Sequence, residues 1–277
     1  MHGRTTRETF PRSRFGTFDV GVISRSKHHI AGLLEIDVTA GRERLRRLRR
    51  DGTPISFTAW IVKTIAGAVM ESPEVHGILQ GRRRRVMFSD VDVALIVERT
   101  VDGTAVPLPV LLPQSESRTL EDIDAYITAA VTQTVRGAED FQLGRRRSKI
   151  LMALYYRLPQ PIRIWILKRI LRNPARHKAT MGTVVVSSLA AGMRFPGWIL
   201  PTSMHNLVFG VGSVVRKPRV LREQVLPRDV LHLTVMFDHD VVDGAPAARF
   251  ISRLVRMLET ATVLDIPKFT ETHSTSE

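Results

Sequence analysis

Three runs rich in β-branched residues, TVVVSS (183–188), LVFGVGSVV (207–215) and VLHLTVMF (230–237), are each bounded by turn residues, and they constrain the fold more than any other feature. Earlier extended runs are GLLEIDV (32–38), VMF (86–88), VDVALIV (91–97) and AVPLPVLL (105–112). Pro107 and Pro109 confine the last of these to an edge or an irregular strand, because proline donates nothing to a ladder. Helical spacing recurs over 39–50, where Leu45 and Leu48 stand among many arginines, and over 118–135. It recurs over 56–70, where Ser56 is placed as a cap before Ile61, Ile65, Ala68 and Val69, and over 246–259, with Ala247, Ile251, Leu254 and Leu258 on one side. The alternation has no regular βαβ rhythm. It predicts an α/β (α+β) mixed sheet covered by helices rather than a doubly wound one. Residues 1–25 read as an Arg-rich arm that crosses a surface or a partner subunit, and 266–277 as a polar tail.

The chain has no cysteine, which excludes disulfides, thiolate metal sites, iron–sulfur ligation and a cysteine nucleophile. The first 21 residues hold no apolar core of a signal peptide, and no run of about 18 apolar residues occurs, so a cytoplasmic location is expected, with peripheral membrane contact left open. The net charge of +14 suggests nucleic acid at first. Its distribution argues against that, because eleven Lys or Arg and no acid lie between residues 141 and 178 and the rest of the chain is nearly neutral. No nucleic-acid partner is expected.

DHDVVDG (238–244) follows a strand and precedes a helix, which places His239 at a strand end. A neutral imidazole there suits a general base acting on a hydroxyl or thiol. Asp243 is placed to orient a side chain or hold an arginine, and Gly244 permits the turn into the helix. Taken alone, such a histidine is more often structural than catalytic.

The wider setting changes that weighting. MGTVVVSSLAAG (181–192) is similar to a G-T-F-T-I-S-N-L-G strand, LVFGVGSVVRKPRV (207–220) to an I-L-G-V-G strand and the proline after it, and LHLTVMFDHDVVDGAPAARFISRLVRMLE (231–259) to the signature L-x-L-S-F-D-H-R-V-x-D-G-A-x-A-A-R-F with its terminal helix. SKHHIAGLLEIDVT (26–39) and VDVALIVERTVDGTAVPLPV (91–110) add two further strands. The chain thereby resembles the catalytic domain of the acyltransferase component of 2-oxo acid dehydrogenase complexes, a family that shares its fold with chloramphenicol acetyltransferase. The resemblance implies one catalytic domain over 26–265 and a homotrimer or multiple of three with sites between subunits. It also implies acyl transfer between coenzyme A and a thiol or hydroxyl acceptor, with coenzyme A or acyl-CoA as substrate and no metal. His239 matches the base, Ser187 the hydroxyl that donates to the oxyanion from the neighbouring subunit, and Asp243 a position that is Asp or Asn and supports the site. On that register Ser187 faces the channel and Ser188 the opposite side of the strand.

The chain departs from the family in four ways. It shows no lipoyl or subunit-binding domain before the first strand, so a lipoyl group on this chain is not expected; an accessory dihydrolipoamide transacylase serving a separate lipoyl protein stays open, as does an idle membrane-docking or scaffold protein. Asp240 stands where the complex enzymes have Arg. Ser203-Met204-His205-Asn206 replaces Pro-Pro-Gln, which leaves His205 as either a channel residue or a structural imidazole. Finally, the basic insertion 141–178 carries Ile150, Leu151, Leu154 and Tyr155, then Ile162, Trp165, Ile166 and Ile170, at helical spacing with a break at 159–161. Two amphipathic helices are predicted there, which either meet an anionic membrane or lipid acceptor or pack as a lid on the domain itself.

Overall fold

The β-branched runs pair into one six-stranded mixed sheet. The computed structural model describes residues 14–81, 83–101, 104–132, 154–190 and 192–265. Its strands are β1 (His29–Asp37), β4 (Val93–Val101), β5 (Thr104–Leu112), β6 (Val184–Ser188), β7 (Leu207–Leu221) and β8 (Gln224–Asp238), in the order β1-β8-β7-β6-β4-β5. β6 runs parallel to both neighbours, and every other pairing is antiparallel. The prolines of β5 thus lie on an edge strand, where the missing amide donors cost little. A separate ribbon pairs β2 (Ile78–Gln80) with β3 (Arg84–Val86). The extended reading of 86–88 was therefore displaced, because pairing with Ile78–Gln80 sets the register and ends the strand at Val86.

Alternation decides which face is buried and against what. Val184 and Val186 of β6, with Leu231, Leu233, Val235 and Phe237 of β8, point into the main core. That core is closed by helices α2 (Thr39–Arg50), α3 (Phe57–Met70), α4 (Leu120–Thr132) and the terminal helix α7 (Gly244–Thr260). Ser56 caps α3 as expected, its hydroxyl accepting the Ala59 amide at 3.1 Å. α4 ends at Thr132, and residues 133–135 of the expected helix lie outside the described residues.

The other face of the sheet carries Ala94, Val185, Val208 and Met236 and is covered by different elements. α1 (Arg14–Ser24) packs on α5 (Gln160–Leu171), and α6 (Pro174–Met181) leads into β6 through Gly182. Gly182 has φ 77°, and a Cβ there would lie 2.6 Å from the Asp92 carbonyl oxygen, so the turn requires glycine. Residues 14–24, read above as an irregular arm, are helical. In the insertion, a helical turn over 154–157 ends before Pro159, and Pro174 starts a helix after α5 that the spacing did not separate. Residues 141–153 lie outside the described residues. Among the described residues, no helix is long and apolar enough to cross a membrane.

The β7–β8 hairpin runs beyond both expected ends, to Leu221 and from Gln224. Arg216, Lys217 and Arg219 interrupt the apolar pattern there, but cross-strand pairing continues, and Arg222 and Glu223 turn the chain with positive φ at both positions.

Candidate active site

β8 delivers the chain to His239 through a buried carboxylate. Asp238 takes Lys27 Nζ at 2.9 Å, and the same ammonium donates to Asn206 Oδ1 at 2.5 Å. The Asp238 amide donates to the Asn206 carbonyl at 2.8 Å and the His239 amide to the His28 carbonyl at 2.9 Å. The backbone on both sides of His239 is therefore fixed, while its side chain is exposed. Next to it, His28 Nδ1 lies 3.0 Å from Asp240 Oδ1, and this hydrogen bond raises the His28 pKa. Asp240 is thus engaged within the chain. Asp243 occupies the N-cap position of α7, exposed and without a capping hydrogen bond, and among the described residues no arginine pairs with it.

Ser187 lies two strands away from His239, level with Thr234 of β8. It pairs with Ile96 and Gly210 and shares its face with Val185, away from the main core; Ser188 shares the face of Val184 and Val186. A Cβ on Gly210 would stand 2.4 Å from the Ile199 carbonyl oxygen, so this glycine lets the segment leading to Pro201 cross the sheet beside Ser187. Ser187 borders a cavity of about 400 Å³, floored by Ala94, Ile96 and Val185 and roofed by Val20, Tyr156, Ile166 and Ile170. The roof is made by α1 together with Tyr155, Tyr156 and the inner side of α5.

His205 borders the same cavity and is also structural, so its two readings coincide. Its Nε2–H donates to the Met181 carbonyl at 2.8 Å, and Nδ1 accepts from the Ser203 hydroxyl at 2.9 Å. Burial lowers its pKa to about 4 and keeps the ring neutral.

One chain does not unite His239 with Ser187. Val184 is level with Leu207, and Leu207 with Phe237. Five residue steps of about 3.3 Å and two strand spacings of about 4.8 Å put the two Cα atoms roughly 19 Å apart. The motif order along the chain gave no sign of the cavity, and its roof depends on pairing that is remote in sequence.

Fold and residue pattern together are similar to those of acyltransferase catalytic domains. Residues 176–265 match the family model described as 2-oxoacid dehydrogenases acyltransferase (catalytic domain). The succinyltransferase component of 2-oxoglutarate dehydrogenase complex 1 of Arabidopsis thaliana is 21% identical over 76% of this chain and 37% of its own length, so this chain spans well under half of that relative. The structure also matches dihydrolipoamide acetyltransferase of Azotobacter vinelandii, solved in a study of a serine, a histidine and an asparagine in its catalytic mechanism, with TM-score 0.68, 16% identity and 96% of both chains covered. The cubic core of the pyruvate dehydrogenase multienzyme complex gives TM-score 0.66 at 15% identity, again over 96% of both chains. The expected fold is the observed one: the chain shares the fold of these acyltransferase catalytic cores, and the family model matches its C-terminal third.

Proposed function

We propose that this chain transfers acyl groups between coenzyme A and a thiol or hydroxyl acceptor, at sites formed where two copies meet. One observation carries the residue assignment. The spacings Ser187 to His239 and His239 to Asp243 equal, residue for residue, those of the serine, histidine and asparagine studied in the Azotobacter enzyme. In this reading His239 takes the acceptor proton as the acceptor attacks the thioester carbonyl. The hydroxyl of Ser187 from the adjacent copy donates to the oxyanion, and the C–S bond then breaks. The departing coenzyme A thiolate recovers the proton from the imidazolium. A donor aimed at the developing charge lowers the barrier more than any ground-state contact. Asp243 supports the histidine side of the site.

The roughly 19 Å between the two residues within one chain supports a shared site, and a trimer or a multiple of three is the assembly we propose. The domain division proposed is 26–265 as the catalytic unit, with 1–25 and 266–277 as its terminal segments. Mixing His239→Ala and Ser187→Ala proteins after dissociation should restore part of the activity, since some hybrid interfaces hold both residues. No recovery from assembled hybrids would defeat the shared site. Transfer to dihydrolipoamide in place of a small acceptor would identify the accessory transacylase. Absence of transfer to any acceptor would favour the scaffold reading.

The exposed side of α5 favours a second reading for the insertion alone. Ile162 and Trp165 are exposed beside Lys168 and Arg169, a composition suited to anionic headgroups. Salt-reversible pelleting with phosphatidylglycerol vesicles, lost on replacing Trp165 and Ile162 by Ser, tests it.

A further inference from the structure

The cavity beside Ser187 is larger and drier than transfer of a two-carbon group requires. Its floor of Ala94, Ile96 and Val185 and its roof of Ile166 and Ile170 are aliphatic. Three of the polar groups on its border, those of His205, Ser203 and Tyr155, are bonded elsewhere. His205 is held between Ser203 and the Met181 carbonyl, and Tyr155 donates to Asp19 at 3.4 Å. Burial pushes both Tyr155 and Tyr156 well above the usual phenol range, so neither brings a charge to the cavity. At about 30 Å³ per methylene-sized group, comparable to one water's share of liquid volume, 400 Å³ holds on the order of a dozen such groups. An apolar void of that size attracts apolar matter rather than water.

Two built features point to use rather than a packing fault. The roof comes from α1 and from the basic insertion, which are joined by the buried Asp19 and Arg163. The floor carries Ser187, so a carbonyl oxygen at that hydroxyl would direct its substituent along Val185 and Ile96.

We infer that this cavity holds an unbranched aliphatic chain of roughly eight to twelve carbons attached to the reacting carbonyl, which makes a medium-chain acyl thioester the substrate class. The inference rests on the reading of Ser187 as the oxyanion donor. The same chain chemistry could arrive on the acceptor, and the experiment separates the two sources.

Binding of acetyl-, octanoyl- and dodecanoyl-CoA is measured by calorimetry on the full chain, together with kcat/KM for each. Dodecanoyl-CoA is expected to bind at least about 10-fold more tightly than acetyl-CoA, since each buried methylene adds favourable transfer energy. Ile170→Trp should remove that preference; Leu167, which lines the same cavity, serves the same purpose as Leu167→Trp should the first variant fail to fold. Ile170→Ala should shift the optimum to a longer chain. Equal affinity across the series would overturn the inference for the donor, and a preference seen only with alkyl-thiol acceptors of varied length and acetyl-CoA would assign the chain to the acceptor instead. Ser187→Ala keeps the outcomes distinct. A chain preference that survives while kcat is unchanged defeats the oxyanion role alone. A fall in kcat without any chain preference defeats the cavity assignment alone.

Discussion

The guanidinium of Arg163 forks around the carboxylate of Asp19, Nε to Oδ2 at 2.7 Å and Nη2 to Oδ1 at 3.0 Å, with both side chains buried. Arg163 Nη1 also donates to the Leu158 carbonyl at 2.7 Å, and the guanidinium lies 5.0 Å from the Phe15 ring centroid. The pair ties α1 to α5 across 144 residues of chain and secures the cavity roof. Asp19→Ala leaves the buried guanidinium without its carboxylate and should cost about 3–5 kcal/mol. Denaturant unfolding measures this. The double change Asp19→Leu with Arg163→Met should recover most of the loss, because an apolar pair avoids the desolvation of two charges.

Ser187 and Ser188 make opposite predictions, since they lie on opposite faces of β6. Ser187→Ala should lower kcat by about 10²- to 10³-fold with little change in KM, the pattern of an interaction made in the transition state. Ser188→Ala should leave steady-state kinetics nearly unchanged. The reverse result would remove Ser187 from the proposed site.

His239 extends from a fixed backbone and has no side-chain partner among the described residues, so its removal should not disturb the fold. His239→Ala is expected to lower kcat by roughly 10²- to 10⁴-fold while the melting temperature stays within a degree or two of the parent. An unchanged rate of acyl transfer would eliminate it as the base.

Three buried histidines set a pH limit on stability. Burial lowers the pKa of His76 to about 4, of His177 to about 3 and of His205 to about 4. Unfolded, each titrates near 6.5, so between the folded and unfolded values the unfolded chain binds more protons and stability rises with pH. The stability is complete above about pH 6.5 and is lost as pH falls toward 4. Between pH 7 and 5 each histidine removes about 2 kcal/mol. Thermal melts across that range should show a steadily falling melting temperature, and a flat profile would contradict the neutral buried assignments.

The C-terminal part of this fold was legible because its chemistry repeats at short range. Leu231, Leu233, Val235 and Phe237 alternate strictly, and His239 falls at the end of that strand as expected. α1 was not legible, because the group that orders it is a buried acid, Asp19, whose partner lies in the insertion. A lone carboxylate in an Arg-rich stretch reads as solvated until its arginine is located. The small β2–β3 ribbon was missed for a related reason: Gln80, Arg84 and Arg85 carry no apolar alternation, and pairing alone makes them strands. The candidate site divided in the same manner. Ser187, His239 and Asp243 were named from local motifs, whereas the cavity that Ser187 borders is walled by side chains from stretches as far apart in the chain as 16–20, 94–96, 107–109 and 201–205.

The antiparallel return of β8 beside β7, which takes His239 five residues beyond the level of Ser187 and two strands away from it, carries a kinetic consequence. Under the proposed mechanism a single chain is two unmatched halves of different sites, and no internal motion of a hydrogen-bonded sheet can close the gap between them. Specific activity then becomes a function of protein concentration: dilution below the dissociation constant of the assembly silences the enzyme without unfolding any subunit, and reconcentration restores it.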